Sequence, residues 1–203
     1  MVRENLRSGA YKPGEKITHR AIASQLGVSV TPVREAITRL VSEESLSMAS
    51  PKTIIAPRLQ PAEFEEITRI RVKLEGWAAE LAAETTTASF IRKLEMLHRI
   101  YCGHRKARNA KAKIAANAAF HFALYANSNA PRLLAIIDNL WVTNGPTLGL
   151  LGSQALDDSD GEKFHVAAIA ALKAREVTAV RDAIVGDILT GRRKILRILE
   201  TPG

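Results

Sequence analysis

Among the side chains in the second half of the 203-residue chain that are of types able to hold cations or move protons, four have informative spacings: Asn117, His121, His165 and Asp187. Asn117 and His121 bracket Ala118-Ala119-Phe120, so an amide and an imidazole share one face of a helix otherwise rich in Ala and Phe. Two imidazoles, an amide oxygen and a carboxylate can together bind a divalent ion such as zinc, nickel or manganese. Spacing alone does not bring the four together, and an imidazole on an apolar face is more often a core residue satisfied by a hydrogen bond. Arg71, in Ile70-Arg71-Val72-Lys73-Leu74-Glu75, offers a planar guanidinium suited to a two-pronged grip on a carboxylate. Its ordinary alternative is an ion pair with Glu75 at i+4 on a solvated face. His98, His104, Arg99, Arg105, Lys106 and Arg108 read as an exposed basic helix end. Trp77 and Trp141 read as core or interface packing, and Cys102 has no companions that would make it a nucleophile.

Any site built from these residues needs helices to carry it. From Pro61 onward alanine is abundant, β-branched residues are scattered and apolar residues recur at helical spacing. Helices are expected over 61–85, 89–108, 111–128, 131–148, 158–174 and 176–199. Breaks are expected at Thr85-Thr86-Thr87, Asn109, Asn127 to Pro131, Gly149 to Asp160 and Arg175, with Gly152 to Gly161 a polar loop. Long helices with short connections imply an all-α antiparallel bundle over 61–203. Pro57 and Pro61 cannot sit inside one helix, so Pro57-Arg58-Leu59-Gln60-Pro61 is read as a linker.

The first 58 residues have a different pattern. Thr18 is placed to cap a helix, with Ile17 stapling against Ile22 and Gly27 as a left-handed stop. After the turn, Val33, Ile37 and Leu40 form one apolar stripe at i, i+4 and i+7, while Val30, Thr31, Arg34 and Thr38 share another side. Ser29 is placed to cap this second helix, and Pro32 falls where its missing N–H costs little. Two short helices about such a turn form a helix-turn-helix unit. Leu46-Ser47-Met48-Ala49 and Thr53-Ile54-Ile55-Ala56 flank Ser50-Pro51-Lys52 and read as a hairpin wing. Only Val2 to Ser8 are available for a helix before the turn at Gly9 to Gly14, so that helix is expected to be short, with a reduced packing surface.

The run PGEKITHRAIASQLGVSVTPVREAITRL, from Pro13 to Leu40, resembles the winged helix-turn-helix of GntR-type bacterial regulators. The second half is similar to the FCD effector domain of the FadR subfamily, through R-x-x-L-E at Arg71 to Glu75, N-x-x-F-H at Asn117 to His121, and Phe164-His165. The resemblance implies DNA contacts from Arg20, Ser29, Thr31, Arg34, Ser50 and Pro51. It implies a ligand-facing Arg71 and a metal set at Asn117, His121, His165 and Asp187. The chain departs from the family wording at Val30, where an Arg is habitual, and at Pro51, where a Gly is. Asn117 and Asp187 stand where the family's metal set has an Asp and a His, so the carboxylate moves to another helix.

A formal charge of +8 favours a polyanionic partner, and residues 1–58 carry nine basic against five acidic side chains, the denser half of that excess. No apolar run approaches the roughly 20 residues a bilayer needs. The N-terminus lacks the apolar core of a secretory signal, and a single cysteine makes no internal disulfide, so a cytoplasmic protein is expected. Two functions compete. One is a homodimeric DNA-binding regulator, a repressor, that reads a pseudo-palindromic duplex and binds a small carboxylate effector. The other is a helical-bundle metalloenzyme using His121, His165 and Asp187. No separate base or nucleophile accompanies those ligands, and an enzyme has no use for the reading helix, so a non-enzymatic regulator is expected.

Overall fold

The computed structural model describes residues 2–151 and 160–200. It opens with a short helix α1 (Val2–Arg7), followed by strand β1 (Lys16–Ile17), helices α2 (His19–Leu26) and α3 (Val30–Ser42), and strands β2 (Ser47–Ser50) and β3 (Thr53–Ile55). Six long helices follow: α4 (Pro61–Glu84), α5 (Ala88–Lys106), α6 (Ala110–Ala126), α7 (Pro131–Leu148), α8 (Asp160–Ala174) and α9 (Val177–Glu200). The chain is mainly helical, as expected, and the helix ends fall within a few residues of the breaks read from sequence. Most of the expected polar loop, residues 152–159, and with it the first two positions of the helix expected over 158–174, lies outside the described residues. No described helix is long and apolar enough to cross a membrane.

Local chemistry explains most of these boundaries. Thr18 Oγ1 accepts the Ala21 N–H at 3.2 Å, and Gly27 ends α2 with φ 66°. At α3 the expectation needs correction: Ser29 has the extended N-cap backbone, but its hydroxyl makes no capping hydrogen bond. Gln60 and Glu63 form a reciprocal capping box at the start of α4, with Pro61 in the first turn. Thr87 and Asn109 cap α5 and α6 by accepting the N–H groups of Phe90 and Ala112. The wing is also richer than expected, because β1 pairs with β3 to make a three-stranded antiparallel sheet in the order β1-β3-β2. A register shift between Met48 and Ser50 kinks β2 next to the Pro51 tip.

Two apolar cores result. One gathers Leu6, Ile17, Ile22, Val33, Ile37, Leu40, Leu46 and Ala56, and is completed by Val142 of α7. The other fills the bundle with Ala78, Ala79, Phe120, Leu124, Ile137, Trp141, Leu172 and Ile184 among others. Helix α9 lies along α4 and α8, α5 packs on α6 and α8, and α7 lies against α4.

The short α1 recovers its packing surface by docking on α7. Gly145 passes so close that a Cβ on it would lie 2.0 Å from the Leu6 carbonyl oxygen. Around this contact Arg3 and Arg7 both reach Asp138, at 2.8 and 3.0 Å. The Asn139 side chain accepts from Ser45 Oγ at 2.8 Å and donates to the Glu43 carbonyl at 3.1 Å. Thus α7 holds both the first helix and the turn that follows α3.

Candidate functional site

Helix α6 projects a ladder of polar side chains at four-residue steps into the bundle: Lys113, Asn117, His121 and Tyr125. The first three line a cavity of about 120 Å³, together with Arg71 of α4, Trp141 of α7 and Asp187 of α9. Asn117, His121, Asp187 and Arg71 therefore line one cavity. His165 stands just behind, its ring centroid 5.4 Å from that of His121.

The ligand-type atoms of His121, His165 and Asp187 all lie within 4.8 Å of one another. His121 Nε2 is 3.0 Å from Asp187 Oδ2, and His121 Nδ1 is 3.0 Å from the Tyr125 hydroxyl. Two ligands of a tetrahedral zinc with bonds of about 2.0–2.1 Å sit roughly 3.3 Å apart, so the His121–Asp187 spacing suits a shared cation. His165 supplies the second indication. It is fully buried, stacked on Phe120 at 3.8 Å, and neither ring nitrogen has a hydrogen-bond partner. Buried polar atoms are normally paired, so two orphaned imidazole nitrogens beside a carboxylate fit a metal ligand better than a core filler.

Electrostatics agree with that geometry. Burial, reinforced by the neighbouring His121, pushes the His165 pKa down to about 3, so this imidazole stays neutral and able to coordinate. For Asp187, burial acts to raise the pKa, but the hydrogen bond and charge of His121 outweigh it and hold the carboxyl below its ordinary range. Tyr125 is held well above the ordinary phenol value by burial and by the charge of Glu75.

Arg71 corrects one of the two alternatives read from sequence. It does pair with Glu75, through Nε to Oε1 at 2.6 Å, but the pair is buried rather than solvated, and Arg71 lines the cavity. Its guanidinium lies over the Trp141 ring at 4.7 Å. The basic end of α5 is likewise less exposed than expected: His98 is half-buried with its ring 5.7 Å from that of His165, and Arg105 pairs with Glu162 at 2.9 Å. Cys102 sits 3.4 Å from His98 Nε2, and burial with the nearby Glu162 raises its pKa to about 11, so the thiol is protonated and unreactive. Sequence reasoning missed Lys113 and Tyr125. The signal was present in the four-residue ladder through Asn117 and His121, extended one turn each way.

The proposed DNA-facing residues occupy the other end of the chain. Arg20, Ser29, Thr31, Arg34, Ser50 and Pro51 are all exposed, and neither Arg20 nor Arg34 has an ion-pair partner among the described residues. Val33, Ile37 and Leu40 turn the opposite side of α3 into the core, so the polar side is the one presented.

Comparison with known proteins matches residues 1–52 to the bacterial regulatory proteins of the gntR family and residues 66–188 to the FCD domain. The HTH-type transcriptional regulator McbR of Escherichia coli K12 is 36% identical over 188 residues, spanning 90% of this chain and 84% of that protein. A solved structure of E. coli McbR/YncC superposes with a TM-score of 0.88 at 32% identity, covering 98% of this chain and 95% of that one. A putative GntR regulator from Rhodococcus sp. RHA1 shares the fold, with a TM-score of 0.76 at 16% identity over 96% of this chain and 93% of that one.

Proposed function

Because the chain belongs to the GntR family, with an FCD domain, and is a DNA-binding transcriptional regulator rather than an enzyme, we propose that it is a homodimeric, cytoplasmic repressor that is relieved by a small carboxylate held at a divalent metal ion. Residues 1–58 form the reading head, and residues 61–203 bind the effector and dimerise. The observation that carries the metal reading is His165, buried with both ring nitrogens unpartnered beside His121 and Asp187.

His121, His165 and Asp187 would hold the ion, with the Asn117 amide as a fourth donor, and zinc, nickel or manganese suits such a mixed set. The ion would supply positive charge for an anionic group to neutralise, an attraction strengthened in a low-dielectric interior. Arg71, fixed by Glu75 and lining the same cavity, would take a second oxygen of the acid. A cavity of about 150 Å³ accommodates benzene, so one of about 120 Å³ supports an effector of only a few heavy atoms.

On the DNA side, Arg34 would read a base edge, supported by Thr31 and Ser29, with Arg20, Ser50 and Pro51 contacting the backbone or the adjoining groove. One short helix makes too few contacts for specific affinity, so two heads would read two half-sites of a pseudo-palindrome. A dimer is supported by α4, whose Ile67, Ile70, Leu74, Trp77 and Leu81 follow alternating three- and four-residue steps; Ile70 and Trp77 are 41% and 52% exposed, while Leu74 and Leu81 also pack on the bundle core. Coupling is supported by α7, which lines the cavity with Trp141 and packs against the head with Val142.

Elemental analysis of protein purified without chelator tests the metal reading, and His121→Ala should lose the ion while keeping basal DNA binding. Absence of metal from the parent and from an Asn117→Asp variant would leave the four residues as a self-satisfied polar core.

A further inference from the structure

The polar residues around the cavity do not end at the metal-ligand set. The Tyr125 hydroxyl donates to Glu75 Oε2 at 2.5 Å and lies 3.0 Å from His121 Nδ1. A hydroxyl has one proton, and here the carboxylate of Glu75 takes it. The oxygen therefore faces His121 as an acceptor and takes a hydrogen bond from Nδ1–H, while Nε2 faces Asp187, where its own proton would give way to a cation. Glu75 in turn holds Arg71 through Nε. A continuous chain, Asp187–His121–Tyr125–Glu75–Arg71, thus runs from α9 through α6 to α4.

We propose that Tyr125 is a positioning residue that fixes the His121 ring with Nε2 toward the cation and ties it, through Glu75, to the Arg71 clamp. The inference rests on the metal reading above. Stability does not account for the arrangement, since a buried hydroxyl, carboxylate and guanidinium are commonly replaceable by apolar side chains of like volume without loss. What the chain does supply is orientation. A metal-bound imidazole usually has its second nitrogen held by an outer partner, and loss of that partner costs metal affinity without removing a ligand. Tyr125 meets the geometric requirement, because it lies one turn beyond His121 on the same face and is fully buried. It also links the two ends of the cavity. Displacing the tyrosine would free both the metal ligand and the carboxylate that aims Arg71.

The test uses the full chain, Zn²⁺ as the probe, and the Tyr125→Phe variant, which keeps the ring and deletes the hydroxyl. Calorimetric titration should show Zn²⁺ bound about 10- to 100-fold more weakly by the variant than by the parent. Nitrogen-15 spectra of the Zn²⁺-loaded parent should show the His121 proton on Nδ1 and the metal on Nε2, and that preference should weaken in the variant. Equal Zn²⁺ affinity in parent and variant overturns this inference while leaving the metal reading in place. No Zn²⁺ uptake by the parent overturns both. Should Tyr125→Phe fail to fold, the Zn²⁺-loaded parent alone decides: a metal on Nδ1 with the proton on Nε2 refutes the assignment.

Discussion

Gly145 of α7 and the Leu6 carbonyl of α1 approach so closely that a methyl group at 145 would lie 2.0 Å from the oxygen. No side chain stands between them to give way, so Gly145→Ala must push α1 off α7. Overpacking of this kind typically costs about 1–3 kcal/mol. A lowered melting temperature is expected, together with weakened DNA binding, because Leu6 leaves the core it shares with Val33 and Ile37. A variant that melted with the parent would show that the contact is slack.

A second expectation concerns pH. An unfolded imidazole protonates near 6.5, whereas burial holds His165 at about 3 in the folded chain. Between those values only the unfolded chain takes up the proton. Stability of the metal-free protein should therefore fall as pH drops from about 6.5 toward 3, by up to ~1.4 kcal/mol per pH unit from this group, with no further loss from it below that window. Urea unfolding at pH 7 and pH 5 in the presence of a chelator measures the slope. His165→Leu should flatten it, and an unchanged slope in that variant would remove His165 as its source.

Arg34→Ala should weaken operator binding by roughly 1–3 kcal/mol per half-site and flatten sequence preference, as expected for loss of a base contact. Lys52→Ala or Arg58→Ala should instead weaken all duplexes alike and reduce the salt dependence. Competition titrations with specific and scrambled duplexes distinguish these outcomes, and a fully specific Arg34→Ala protein would mean that another residue reads the bases.

The apolar seam on α4 makes a further prediction. Trp77→Glu places a charge where a second copy of the helix would pack, so sedimentation should show monomers at concentrations where the proposed dimer of the parent forms. Trp77 is half exposed, so the monomer itself should keep its fold. Parent and variant sedimenting alike would move the interface elsewhere.

The reading head was largely legible because its signals are local: Thr18 caps, Gly27 stops, and Val33, Ile37 and Leu40 mark the buried side of one helix. Strand β1 was not, because two residues carry no periodicity and their partners, Ile54 and Ile55, lie almost forty positions away. His121 and Asp187 could be nominated from residue type and resemblance, but their 3.0 Å contact joins α6 to α9 and no spacing encodes it. Lys113 was overlooked because a lysine in a helix is usually solvated, whereas here it is buried. The docking of α1 on α7 was invisible for a similar reason. By residue type Gly145 is an ordinary helical glycine, and only the Leu6 backbone above it explains why no larger residue fits.

Val142, a residue of the FCD half, completes the core of the reading head. The head is therefore not modular in the sense that its sequence boundary suggests. Grafting residues 1–58 onto another helical bundle would transplant a surface made to receive a valine and a glycine at particular places on α7. Without those two, the graft would present Leu6 to water. A working hybrid must therefore carry the outward face of α7 along with the head, so the unit that can be exchanged among relatives is discontinuous in sequence.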